Sequence, residues 1–504
     1  MLPEATGSWT KGEARHLLNR AGFGGSPEDV VKFHALGREK AVEFLLMPEE
    51  RIETFPLPKW ADLAVAMEEV GDAMAERMKM RREMRDMTPA EAEKAKKMAG
   101  KEQRMEQRRH AIEAQGWWFR RMLVTKAPLR EKMTLFWHDH FATSVQKVKQ
   151  PVLMMNQNEL FREHATGNFR ELTQKVVRDP AMMLYLDTQR SSKENPNENF
   201  AREVMELFTL GEGNYTEEDV KEAARAFTGY RLNRLNGDVT QSRNAWDGGE
   251  KSIFGNTGKF NGTDVVKLIF KKERCAEFMA EKLWEYFAYE NPSTEAVKAL
   301  GKTLRDADYE IAPVLREIFL SKEFYGEKAV GTQIKCPVQY LVQMLKEMEM
   351  NEPPIGFPIY GQAQLGQVLF MPPNVAGWDW GKAWVNTNTL LTRYNLAGNL
   401  TKGSFDEGMG GGKMRQAFRD RMKNRGGKTG AEPVFSEIAN VVVRNDTEAL
   451  VDGLIARFIS LPIPEKARQS FLEYAESKKG ISFTDKELGE LCHLMMSTPY
   501  YQLC

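Results

Sequence analysis

The sequence has no run approaching the roughly 18 apolar residues that a membrane-spanning helix requires. Cysteine is scarce. Cys275, Cys336, Cys492 and Cys504 stand singly among 504 residues, without the close pairs of a zinc ribbon or the density of a disulfide scaffold. Net charge is missing too: 71 basic and 71 acidic residues cancel, so the global balance calls for neither nucleic acid nor an anionic membrane. Any such binding has to come from a local patch. The opening stretch Met1 to Gly7 lacks a basic start followed by an apolar segment, and the compartment expected by default is the cytoplasm. No phosphate-cradling loop, nucleophile elbow or paired-cysteine motif occurs.

What is present is helical. Counts of 27 Met, 27 Phe and 10 Trp suit adaptable apolar contact between helices better than a sheet of Val and Ile. Ser26-Pro27-Glu28-Asp29 supplies a capping side chain, a first-turn proline and acids over the positive end of the dipole, so a helix is expected to Leu36, stopped by Gly37. Thr216-Glu217-Glu218-Asp219 starts another, with Val220, Ala223, Ala224 and Phe227 on one face before Gly229. Val314, Leu315, Ile318 and Phe319 repeat the pattern.

These signals predict a mainly α fold, a multi-helix body with irregular loops. Residues 67–115 contain two charge-rich runs, Met67 to Met87 and Pro89 to Gln115, broken near Thr88-Pro89 and expected to form a projecting helical hairpin. Between Arg77 and Arg109 stand twelve Lys or Arg against six Asp or Glu. The plain account is a solvated helix pair; the functional one is a basic docking surface for an acidic protein partner. No nucleic-acid role is expected, because aromatic residues are absent until Trp117-Trp118. Asn233 to Gly262 is rich in Asn, Gly, Asp and Ser, which predicts loops with one small β-hairpin at most. The expected division is a body of 1–400 carrying the 67–115 insertion, a glycine-rich linker at 401–432, and C-terminal helices at 433–504 that dock on the body.

Two constellations carry chemistry. The first is Phe136-Trp137-His138-Asp139-His140-Phe141, in a sequence with only seven histidines. In a helix opening at Pro128, His140 shares the stripe of Leu129, Met133 and Phe136 while His138 points about 200° away, so both reach one metal only where the helix ends. The alternative is structural histidines, hydrogen-bonded beside the core. The second is Asn195 to Gly211. Phe200, Val204, Leu207 and Phe208 fall on one helical face, and Asn199, Arg202, Glu203 and Glu206 on the other. Two carboxylates beside an arginine suit divalent-metal binding or acid–base work with Arg202 orienting an anionic group. The alternative is an exposed face of internal ion pairs. Weaker candidates are Asp187, at the end of an apolar run, and Pro372 to Trp378 with Trp380 and Trp384. There Asn374 and Trp378 would contact a ligand, unless the loop merely packs on the body.

At these residues the chain resembles the bacterial family catalogued as domain of unknown function 1800. The matching stretches are His16 to Gly24, Phe136 to Phe141, Arg178 to Asp187, Pro196 to Gly211, Tyr215-Thr216, Ala226 to Gly229, Pro372 to Trp378 and Arg393 to Asn395. The resemblance implies a family without a defined mechanism, whose members are often exported and encoded beside a second family similar to sulfatases. It therefore points to extracytoplasmic work with a partner. Many members carry a His-Asp pair where this chain has Trp246-Asp247.

Two functions compete. One is a metal-dependent enzyme, hydrolytic in type, with His138, His140 and Asp187 holding a divalent ion near Glu203, Glu206 and Arg202, and Asn199, Asn374 and Trp378 contacting substrate. The other is a non-catalytic helical scaffold that binds a partner through the hairpin or the tryptophan-rich loop. The enzyme requires the histidine and glutamate motifs to converge in one cleft.

Overall fold

A computed structural model describes residues 1–47, 55–62, 82–233, 237–353, 356–402, 433–478 and 483–504, with isolated positions between 65 and 80. The chain is mainly α. Helices begin where local chemistry directs. Helix α1 (Lys11–Ala21) is capped by Thr10 and α2 (Pro27–Leu36) by Ser26, each with its acid three residues on returning the hydrogen bond, and Gly37 ends α2 at φ +81°.

Helix α3 (Pro89–Val124) is the second of the charged runs and continues nine residues beyond the expected end at Gln115. At 36 residues it is about 54 Å long. Its amphipathicity is divided along its length. From Ala114 onward Trp118, Phe119, Met122 and Leu123 are buried, whereas the two-thirds before them is largely exposed. The glycine-rich segment at 401–432 lies outside the described residues apart from Thr401 and Lys402, as do eight positions of the run 67–87.

The buried end of α3 packs with α4 (Pro128–His140) and α5 (Pro151–Glu163). A buried ion pair locks the three: Arg162 Nε meets Glu131 Oε1 at 2.6 Å with both side chains 1% exposed, and Trp118 Nε1 donates to Glu131 Oε2 at 3.0 Å. Burial opposes ionisation of Glu131, but Arg162 and Arg121 outweigh it and hold the carboxyl below its ordinary range. Removing Glu131 would leave the buried Arg162 guanidinium leaning on the partly exposed Glu159, at a cost in stability. Trp137 fixes the other side of α4, donating to the Ala165 carbonyl at 2.9 Å and stacking on Phe141 and Phe169. The helix ends at His140, as the histidine spacing requires for any site at its terminus.

Helix α6 (Glu198–Met205) follows and passes directly into a π-helical turn, Glu206–Leu210. The Thr209 hydroxyl donates to the Val204 carbonyl at 2.5 Å, the Gly211 amide reaches the Glu206 carbonyl at 3.0 Å, and Gly211 turns the chain away at φ +79°. Helix α7 (Glu217–Ala226) packs against α6, its Thr216 cap and buried Val220, Ala223 and Ala224 matching the expected face. The polar stretch after it forms two antiparallel ribbons, β1 (Tyr230–Leu232) with β2 (Val239–Gln241) and β3 (Lys251–Ile253) with β4 (Asn256–Gly258), where one hairpin was allowed for.

The rest of the body is built on α8 (Glu273–Phe287), α9 (Ile311–Leu320), α10 (Pro337–Glu347) and α11 (Thr387–Thr401). Chain beyond residue 433 meets it through buried polar contacts. Tyr501 donates to Glu347 of α10 at 2.7 Å, Arg457 donates to the Glu347 carbonyl, and His493 on α12 (Asp485–Met496) bonds the Tyr394 carbonyl of α11. No described helix is long and apolar enough to cross a membrane.

Candidate functional site

The two motifs meet, but not through the groups that would share a metal. His140, at the last position of α4, donates from Nε2 to the carbonyl of Phe208 in the π turn at 3.0 Å. Its ring stacks on Phe136 and lies among Phe141, Phe169, Phe208 and Phe278. Burial, helped by the nearby Lys282 cation, pushes it down to about 3 against the pull of the Phe208 bond. It is a neutral imidazole that joins two elements.

His138 points the other way, as helical geometry predicts, and is 1% exposed between the rings of Trp118, Phe161, Phe370 and Trp378. Burial alone pushes it down to about 3, and among the described residues its Nε2 has no hydrogen-bond partner. Asp187 adopts a left-handed conformation at φ +57° and pairs with Lys147 at 3.0 Å and Arg190 at 3.7 Å, half-exposed. Among the described residues, no three His, Cys, Asp or Glu side chains gather as metal ligands. The set His138, His140 and Asp187 is therefore not brought together. Two of the three face different surroundings on opposite sides of α4, and the third is occupied by surface cations.

Asp139, between the histidines, was not a sequence candidate. Its carboxylate accepts the Trp378 backbone N–H at 2.7 Å and the Trp380 indole N–H, facing the Lys282 cation of α8. Burial dominates these favourable contacts and pushes it up to about 7. Gly377 adopts φ +87°, and a Cβ there would stand 2.7 Å from the Asp139 carbonyl oxygen. The Pro372–Trp378 loop is thus clasped onto the end of α4. Trp378 is buried by that contact, Asn374 is exposed and folds its Oδ1 onto the Ala376 amide at 2.8 Å, and Trp380 remains 44% exposed over Tyr286.

Glu203 and Glu206 lie one turn apart on the open side of α6 and the π turn, both half-buried. Partial burial, together with the charge of Glu206, raises Glu203 above the ordinary carboxyl range. The Tyr215 hydroxyl donates to Glu206 Oε2. Burial and that carboxylate push Tyr215 up to about 12, so it remains a donor. Tyr185 also feels Glu203, though its own burial is the larger reason that its hydroxyl is raised. Arg202 is not free to receive an anion: both its terminal nitrogens meet Glu217 at 2.7 Å in a bidentate fork, and it also engages Tyr215. Asn199 is exposed on the same helix.

Sequence reasoning named the carboxylates and missed the two tyrosines. Both were within quoted stretches, Arg178 to Asp187 and Tyr215-Thr216, but only the fold sets them against Glu203 and Glu206.

The chain belongs to the family described as a protein of unknown function, DUF1800, whose model matches residues 16–503. No curated protein and no solved structure matches it.

Proposed function

We propose that the protein is a hydrolytic enzyme whose working groups are the carboxylates Glu203 and Glu206. The observation that supports this reading is the disposition of the pair: two half-buried acids one turn apart, one raised toward its protonated form and the other accepting from Tyr215. A carboxyl raised above its ordinary range is suited to general-acid work, and an oriented carboxylate beside it to general-base work on water. A π turn beneath such a pair accords with the frequent use of π turns at functional sites. In the metal-assisted form of the reading, the same two oxygen ligands would hold a divalent ion, which would lower the pKa of its bound water. Arg202 positions Tyr215 and Glu217 in either form, and Asn199 and Asn374 are the exposed amides available to a substrate.

The test is turnover of a panel of chromogenic esters, phosphoesters and glycosides by wild type, Glu203→Gln and Glu206→Gln, each with elemental analysis. Loss of about 100-fold or more in both variants at unchanged melting temperature is expected, as for removal of a general acid or base. Metal present in wild type and lost from Glu206→Gln selects the metal-assisted form. Wild type inert on every class, or both variants fully active, sinks the proposal.

A further inference from the structure

The exposed part of α3 carries one face unlike the rest of the molecule. Lys94, Lys97, Lys101, Arg104 and Arg108 follow one another at spacings of three and four residues, which places them in a single stripe covering about 21 Å of the helix. Beside them run Met98, Met105 and Ile112, separated by seven residues and 64%, 63% and 42% exposed. The acids of this helix lie elsewhere on its circumference: Glu102 and Glu106 stand beyond the methionine row, and Glu93 at the far edge of the basic stripe binds Lys97 at 2.7 Å. Among the described residues, Lys94, Lys101, Arg104 and Arg108 have no acidic partner within ion-pair distance. Ala92, Ala95, Ala99 and Gly100 are only partly exposed, so the basic and methionine rows form the more open face of the helix. A shallow groove of about 380 Å³ runs along its start, lined by Ala90, Glu93, Lys94, Lys97, Met98 and Lys101.

We propose that this face docks an acidic amphipathic helix of a partner protein. A row of apolar side chains every seven residues is the seam by which one helix lies along another, and cations flanking it select a partner with Glu or Asp at the facing positions. Charge complementarity argues for the acid, and the narrow methionine seam argues for a helix. Nucleic acid fits less well, because no aromatic ring lies between Pro89 and Arg109 to stack on bases. A membrane surface fits less well too, since the seam lacks the Trp, Phe or Leu that anchor interfacial helices. The inference is independent of the carboxylate pair and leaves its chemistry unchanged.

Fluorescence anisotropy on the full chain tests it. The probe is a labelled 21-residue helical peptide with Leu every seven residues flanked by Glu. Its controls are the same composition in scrambled order, an oligo-dT of matched charge and vesicles of anionic phospholipid. Wild type should bind the ordered peptide, with affinity falling steeply between 50 and 300 mM salt. The triple variant Lys94→Glu/Lys101→Glu/Arg108→Glu should weaken binding at least 30-fold, and Met98→Ser/Met105→Ser at least 5-fold. These positions are exposed, so both variants should melt as wild type does. Equal affinity for the scrambled peptide, tighter binding of oligo-dT or vesicles, or undiminished binding by the triple variant would overturn the proposal.

Discussion

The end of α4 and the end of α6 are only one hydrogen bond apart, from His140 to Phe208, yet they treat their ionisable groups in opposite ways. At the end of α4, His138 is enclosed by rings, His140 is tied to a carbonyl and Asp139 is covered by the 377–380 loop. At the end of α6, Glu203 and Glu206 keep part of their surface open, and Glu206 takes a hydroxyl rather than a backbone partner. The same residue types that suggest a metal site in sequence are therefore a joint in one place and an accessible acid pair in the other. Burial separates the two, because a group enclosed by aromatic rings or already bonded within its own fold offers no open side to a ligand.

The comparison is broken most forcefully at the clasp. Gly377→Ala places a methyl against Asp139 in a backbone conformation that L residues rarely adopt. A loss of about 3 kcal/mol in denaturant-measured stability is expected. A loss below about 1 kcal/mol would mean that the loop is not held to α4, and the joint would have to be redrawn.

Asp139 gives a second, pH-dependent test. Its folded-state value of about 7 lies above its ordinary 3.8, so between those values the folded protein binds more protons than the unfolded chain. Stability from this group is therefore highest in acid and declines as pH rises through that window. The buried histidines act in the opposite sense: folded values of about 3 against 6.5 make stability rise with pH. Other buried acids, such as Asp179, also contribute, so the informative quantity is the difference between wild type and Asp139→Asn. From pH 4 to 7 the variant should gain on wild type by up to about 1.4 kcal/mol per pH unit. A difference that stays flat over this range would show that the carboxyl is already ionised in the fold.

Local chemistry explains why some of this was legible in sequence. Ser26 with Asp29, and Thr216 with Asp219, lie three residues apart, so their capping boxes could be read directly. The opposed directions of His138 and His140 follow from helical geometry alone. What they point at does not: Phe208 is 68 positions from His140, and Trp378 is 239 from Asp139. The expectation of a shared metal failed at this step, since spacing fixes direction but not the neighbour. The π turn was equally hidden, being set by the Thr209 hydroxyl and Gly211 rather than by apolar periodicity. Trp246-Asp247 makes the same point. Asp247 is held by Arg225 at 2.7 Å and Lys251 lies over the Trp246 ring, contacts that only the ribbon fold creates.

A smaller effect is expected at His138 itself. His138→Leu keeps most of the volume and removes a buried ring nitrogen that has no partner among the described residues, so stability should change by less than about 1.5 kcal/mol. Metal content, whatever its level in wild type, should be unaltered. Loss of a stoichiometric metal in this variant would restore the histidine as a ligand and erase the contrast between the two turns.

The smallest effect is expected at Asp187. Its pairs with Lys147 and Arg190 are exposed, and surface pairs of this kind contribute about 0 to 1 kcal/mol. The left-handed backbone at this position suits Asn as well as Asp. Asp187→Asn therefore removes the charge while keeping the conformation, and a stability change within about 0.5 kcal/mol is expected, together with unchanged turnover. Asp187→Ala adds the backbone strain and should cost more than the Asn variant, which separates conformation from charge. Should the Asn variant instead lose activity tenfold or more at unchanged stability, the carboxylate would belong with Glu203 and Glu206. The open acid surface would then extend from the π turn across Tyr185 to Lys147.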